Sequence, residues 1–250
     1  MRLKYTVTDH VAEIVLDAPP VNALDVGFLN EIIGALRNAG TDENAHAVII
    51  ASANPKVFCA GIDLNTILSD DSLAVHRLLE KLYIELADVQ YRLGKPSIAA
   101  VGGAARGGGM TLSISCNVIV AARSATFGYP EIDVGVIPAI HFAHLPRIIG
   151  RHRAFELLFS GRAFPAAEAA TLGLVSRVVD DANLMDEARA LARTFAAKDP
   201  LVLRMGHQAF MRHNDYRTEI GHVTEAFCTV AATPAAKAAV KRFLGRGKRK

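Results

Sequence analysis

The sequence predicts an α/β core of repeated strand–strand–helix units, followed by a helical C-terminal region. Short β-rich runs alternate with helical stretches up to about Asp180. Their order is strand, strand, helix, then the same again, which favours an α/β core over separate layers. Beyond that point the chain is rich in alanine and poor in β-branched residues, and it reads almost wholly as helix. The expected division is therefore a core over 1–180 and a helical region over 181–250.

The elements follow in order. Val11–Leu16 (VAEIVL) reads as a strand. Asp25 is placed to cap a helix whose apolar stripe is Phe28, Leu29, Ile32, Ile33 and Leu36. Ala47–Ala51 (AVIIA) is a short buried strand, and Ser69–Leu93 reads as one long helical stretch stopped by Gly94-Lys95-Pro96. Ser97–Val101 (SIAAV) is a second buried strand. A glycine-rich turn and a helix over about Gly108–Ser115 come next, then a strand at Asn117–Ala121. Four helices near Met185–Ala197, Pro200–Arg212, Glu219–Ala231 and Pro234–Leu244 complete the chain. Neither sustained heptads nor a short-period repeat is present.

Composition narrows the function classes. The 250 residues are 51% hydrophobic and 21% charged, as in ordinary globular proteins. Much of the net charge of +3 sits in the final KRFLGRGKRK, and most such tails are simply solvated. Basic-aromatic interleaving and an RNP-like strand are both missing, so no nucleic-acid partner is expected. No apolar run is long enough to span a bilayer, and the N-terminus lacks a signal-peptide pattern. Cys59, Cys116 and Cys228 are far apart and odd in number, which suits a reducing compartment and a cytoplasmic protein.

Three segments stand out: VFCAGIDL (57–64), GGAARGGGMTLSIS (102–115) and FGYPEIDVGVIP (127–138). In the second, a glycine cluster opens a helix and so exposes unpaired N–H groups at the positive end of its dipole. Such a turn attracts a phosphate or a developing oxyanion, or else serves a close helix–strand contact. It matches neither G-x-G-x-x-G nor G-K-[ST], which disfavours nucleotide binding by either device. The chain also lacks a G-x-S-x-G elbow, against an α/β-hydrolase.

Together, in this order and at these separations, the three segments resemble the signatures of the crotonase (enoyl-CoA hydratase/isomerase) family. LDAPPVNALD (16–25) is similar to its adenine-side loop. RAFELLFSGRAFPAAEAATLGLVSRVV (153–179) is similar to the stretch leading into its C-terminal helices. The resemblance implies a spiral core of β-β-α units and a C-terminal trimerisation region. It implies an acyl-CoA substrate with no separate cofactor or metal, and a homotrimer or hexamer. It also implies an oxyanion hole formed by the backbone amides of Ile62 and Gly108. Contacts to CoA are implied from Val21, Ala23, Leu24 and Ala60, and from Phe243 and Arg246. A lysine that the family carries after the first segment is here Asn65.

The acid/base positions depart from the two-carboxylate hydratase pattern. The first is Thr111, whose hydroxyl does not titrate usefully but can hold water; the second is Glu131. One base suffices to move a proton from C2 to C4 of a 3-enoyl thioester. Hydration of a 2-enoyl thioester, with Thr111 orienting water, also stays open, as do a hydratase-lyase reaction, thioester hydrolysis and a degenerate acyl-CoA- or RNA-binding protein. Glu80 and Glu85 on the long helical stretch are candidates for a second acid, although solvated glutamates are the rule there. Asp63 is expected to fix the first loop, and Tyr129 and Asp133 to shape the surroundings of Glu131. His141 and His144 have a spacing that a metal could use, but no further ligands accompany them, so packing is the stronger reading. Cys59 reads as a packed thiol.

Overall fold

In the computed structural model, which describes residues 1–247, two β-sheets share the core. A hairpin of β1 (Leu3–Thr8) and β2 (Val11–Leu16) starts the chain. Its two-residue turn places both Asp9 and His10 at positive φ, as the twist of a tight hairpin demands. Helix α1 (Val26–Thr41) follows, and the Asp25 side chain caps it by accepting from Phe28 N at 2.7 Å. The expected stripe, Phe28, Leu29, Ile32, Ile33 and Leu36, is buried.

The strands β3 (Ala47–Ser52), β4 (Val57–Cys59), β5 (Ser97–Val101), β6 (Ala104–Arg106), β7 (Val118–Ala122) and β8 (Thr126–Gly128) then alternate between the sheets. With β10 (Arg177–Val179) the first sheet has the order β1-β2-β3-β5-β7-β10, and with β9 (Ala163–Pro165) the second runs β4-β6-β8-β9. Each strand pair thus gives one strand to each sheet before the chain turns into a helix. This is the spiral of β-β-α units. The pairs β3–β5 and β5–β7 are parallel, and both β3 and β5 are buried nearly end to end. Their continuous apolar sequences follow from cover on two faces.

The stretch expected as one helix from Ser69 is more broken. A 3₁₀ turn covers Leu64–Leu68, α2 begins only at Ala74 and runs to Leu79, and α3 spans Leu86–Arg92. A π-helical segment, Glu80–Glu85, joins α2 to α3. Its wider turn lets the neighbours Leu82 and Tyr83 both face inward, an arrangement common at functional sites. Helix α4 (Gly108–Ser115) follows β6 directly, and α5 (Ala139–Ile149), α6 (Arg151–Ser160) and α7 (Ala166–Thr171) lie between β8 and β10.

Past β10 the chain is helical: α8 (Leu184–Ala196), α9 (Pro200–His213), α10 (Arg217–Ala231) and α11 (Pro234–Gly247). Helix α8 packs across β3, β5 and β7 and belongs to the core layer, while α9 buries none of its residues. Helix α11 packs against the Leu64–Leu68 turn and against a second 3₁₀ turn at Pro130–Val134. The basic residues Lys248–Lys250 lie outside the described residues. Among the described residues, no helix is long and apolar enough to cross a membrane.

Candidate active site

The three motif segments leave the C-terminal ends of β4, β6 and β8, which are adjacent and parallel in the second sheet. Segments separated by dozens of residues in sequence therefore emerge side by side on one edge. Ligand sites in open α/β sheets form at that edge.

The first loop is held by the 16–25 segment. Ala60 N donates to Val21 O at 3.0 Å, Leu24 N to Gly61 O at 2.8 Å, and Asp63 N to Leu24 O at 2.9 Å. This short parallel ladder pairs Leu24 with Ile62 but engages only the residues flanking Ile62. Because N–H groups alternate sides along an extended chain, the Ile62 amide points away from the ladder. Asn22 braces the same loop. It holds φ +52°, accepts from Ala18 N, and donates to Phe58 O and Ser52 Oγ. Asp63 Oδ1 accepts from Asn65 N and caps the 3₁₀ turn that follows.

The glycine run has a separate reason at each position. Gly107 takes φ +49° to turn β6 into α4. A Cβ on Gly109 would stand 2.2 Å from the Cys59 carbonyl oxygen, so α4 rests directly on β4. A Cβ on Gly108 would come within 3.3 Å of Ile62 N. The amides of Ile62 and Gly108 are thus neighbours. Among the described residues, neither donates to a protein acceptor. Gly108 opens α4, where the helix leaves its first N–H groups unpaired and its dipole is positive. Leu24 and Leu82 side chains border the spot, so an oxyanion there meets two donors in apolar walls.

Glu131 lies beside this pair. A Cβ on Gly107 would approach Glu131 Oε1 to 3.1 Å. The Glu131 side chain keeps 12% exposure, and its Oε2 is buried without a hydrogen-bond partner. Burial pushes the carboxyl up from 4.5 to about 7. The phenols of Tyr83 and Tyr129 flank it. Desolvation, then the Glu131 charge, raises both above the usual tyrosine value.

Thr111, on the first turns of α4, is 5% exposed, and its Oγ1 lies 3.4 Å from His141 Nε2. The same Nε2 is 4.0 Å from Glu131 Oε1, so His141 stands between the two positions that the sequence singled out. Its Nδ1 is 3.1 Å from His144 Nε2, and its ring meets Tyr129 edge-on. Both histidines are buried, and burial holds them neutral: His141 is driven well down, and His144 to about 3. Without further ligands beside it, spacing alone assigns the pair to packing. The signal for more was the i, i+3 spacing just after the third motif, which puts both rings on one face of α5.

The other candidates are dispersed. Glu85 pairs with Arg37 and Lys81 instead of reaching the site, and Glu80 is exposed. Asp133 is exposed beside Gly161. Cys59 is fully buried, donates Sγ to Asn22 O, and is pushed up to about 12 by desolvation. Val21, Ala23, Leu24 and Ala60 gather at the ladder, whereas Phe243 and Arg246 lie exposed on α11. Among the described residues, no group of three or more His, Cys, Asp or Glu is placed to hold a metal ion.

The enoyl-CoA hydratase/isomerase family profile matches residues 6–249. A probable enoyl-CoA hydratase from Bacillus subtilis is 32% identical over 98% of this chain and 96% of its own length. A short-chain-enoyl-CoA hydratase from Clostridium acetobutylicum is 32% identical over 95% of this chain and 92% of its own. An enoyl-CoA hydratase/isomerase structure from Xanthobacter autotrophicus Py2 superposes with a TM-score of 0.85 at 30% identity. It covers 100% of this chain and 94% of that one. With this fold and these relatives, the chain belongs to the enoyl-CoA hydratase/isomerase family, an enzyme of the crotonase superfamily.

Proposed function

We propose that the enzyme moves a proton at C2 of an enoyl-CoA thioester, with Glu131 as the sole carboxylate base and the amides of Ile62 and Gly108 holding the enolate. The best-supported reaction is 3-enoyl-CoA to 2-enoyl-CoA isomerisation. One observation carries it: a single carboxyl, raised to about 7, lies beside two unpaired amides, while Thr111 fills the other acid/base position. Glu131 removes the C2 proton, negative charge collects on the thioester oxygen, and the two amides stabilise it without reorganising. Returning the proton at C4 then completes the shift. A base poised near neutral pH suits both halves of this transfer.

Hydration of a 2-enoyl thioester is the second reading. The Thr111–His141 contact favours it, because a hydroxyl held by a neutral imidazole suits the placing of a water. The names of the Bacillus and Clostridium relatives point the same way. CoA is part of the substrate, with its contacts at Val21, Ala23, Leu24, Ala60, Phe243 and Arg246. The exposed Leu201, Val202, Met205 and Phe210 of α9 support assembly as a homotrimer or hexamer. A cytoplasmic location accompanies this reading, supported by three free cysteines.

The test follows hydration and double-bond migration together, with 2-enoyl and 3-enoyl thioesters, in the parent and in Glu131→Gln. Migration in the parent that falls at least a hundredfold in the variant is the expected outcome. Unchanged turnover in the variant removes Glu131 as the base.

A further inference from the structure

We propose that His141 and His144 form a proton relay, linking Glu131 to the cavity that His144 lines; this rests on Glu131 being the base. Glu131 Oε2 is buried without a hydrogen-bond partner, so a proton taken from C2 has no protein acceptor on that oxygen. The geometry supplies a route at the back. His141 Nε2 lies 4.0 Å from Glu131 Oε1 and 3.4 Å from Thr111 Oγ1, and His141 Nδ1 lies 3.1 Å from His144 Nε2. No hydrogen bond to Oε2 restrains the Glu131 carboxyl, so a rotation of that group closes the first gap. Catalytic hydrogen bonds are often long before substrate binds. The far nitrogen, His144 Nδ1, is buried without a partner, and His144 lines a cavity of about 290 Å³ together with Gln90, Asn117, Arg147, Tyr216 and Arg217.

Neutral imidazoles fit this task, since each then carries one N–H and one lone pair. When Glu131 is protonated, its O–H faces the lone pair of His141 Nε2. The proton passes to Nε2 and the Nδ1–H of His141 passes to His144 Nε2; a turn of the His144 ring then brings its buried Nδ1 to the cavity, where the Nδ1–H passes to water. Three X–H bonds break and three form. Glu131 is left as the carboxylate, and the return of a solvent proton by the reverse path restores both tautomers. The groups around the path keep the rings neutral: Tyr129 and Tyr216 pack against them, and the Arg147 charge disfavours a cationic His144.

The experiment measures loss of the C2 hydrogens of butyryl-CoA in D2O, with CoA affinity as the check on folding. The parent exchanges, Glu131→Gln does not, and His144→Ala and His144→Gln each exchange at least tenfold more slowly. Added imidazole restores His144→Ala. Pyrrole fills the same space but has no basic nitrogen, and it does not restore exchange. No exchange in the parent, or undiminished exchange in Glu131→Gln, overturns the base assignment and the relay with it. Parental exchange in the His144 variants overturns the relay alone. So does rescue by both compounds or by neither, because either result assigns His144 to packing.

Discussion

Replacing Glu131 with glutamine is expected to stabilise the protein at high pH and to do so less at low pH. The folded carboxyl titrates near 7, against 4.5 for an unperturbed one, because burial penalises its charged form. That gap corresponds to about 3 kcal/mol. The sign follows from which state binds the proton. Below about pH 4.5 the group is neutral in both folded and unfolded chains, and it costs nothing. As pH rises through the window up to about 7, the unfolded chain releases its proton first, so stability is lost, and above that the full difference is present. Glutamine resembles the protonated acid at every pH. The quantity to measure is therefore the stability of the variant minus that of the parent, at pH 9 and again at pH 4. Constant differences between the side chains cancel in this comparison. The expected change is about 3 kcal/mol, or roughly 6–12 °C in melting temperature for a chain of this size. Denaturant titrations at the two pH values give it directly. A change under about 1 kcal/mol would falsify the claim that the protein desolvates Glu131. With Glu131 as the proposed base, activity should move the other way, kcat/KM rising as pH approaches 7, where the carboxylate forms.

Thr111→Val keeps the side-chain shape but removes the hydroxyl, so 2-enoyl hydration should fall about 10–100-fold while double-bond migration changes little. Equal losses in paired assays would tie Thr111 to both reactions. Gly109→Ala drives a Cβ onto the Cys59 carbonyl and should cost at least about 2 kcal/mol in urea unfolding, since backbone lies on both sides of the contact. A stability matching the parent would mean that α4 shifts freely on β4. Iodoacetamide at pH 8 should label the native protein at Cys228, which is partly exposed, and spare Cys59 and Cys116, which are buried and pushed up to about 12. Mass spectrometry showing early labelling of Cys59 would contradict the closed packing of the first loop.

The sequence was most legible where a local rule acts alone. Asp25 before an apolar stripe predicted α1 and its cap, and continuous apolar runs predicted β3 and β5. The glycine run was legible as a turn into a helix, but its three distinct duties were not. Those depend on Cys59, Ile62 and Glu131, which the fold alone brings close. The break in the long helical stretch was hidden for a similar reason. The π segment at Glu80–Glu85 turns both Leu82 and Tyr83 toward neighbours that no local pattern names. His141 was visible as a residue but not as a position. Its nearness to Thr111 and Glu131 accompanies the edge-on packing of its ring on Tyr129, which directly follows β8.

The placing of His141 beside Thr111 and Glu131 bears on the proposed one-carboxylate chemistry. At position 111 a second acid would add negative charge about one side chain away from Glu131, and like charges raise each other's affinity for protons. Thr111 removes that repulsion, yet Glu131 is still raised to about 7, because burial rather than charge sets it. What the threonine cannot replace is a titrating partner. The structure puts a neutral imidazole there instead, within reach of both the hydroxyl and the carboxyl, and backs it with a second imidazole. An uncharged group that both donates and accepts can hold a water or pass a proton without adding a buried charge, which makes it compatible with an enolate forming nearby. On the proposed reading, Ile62 and Gly108 supply the same field whichever proton transfer follows. On the same reading, the choice of reaction rests on the side of the site built from Thr111, Glu131 and α5.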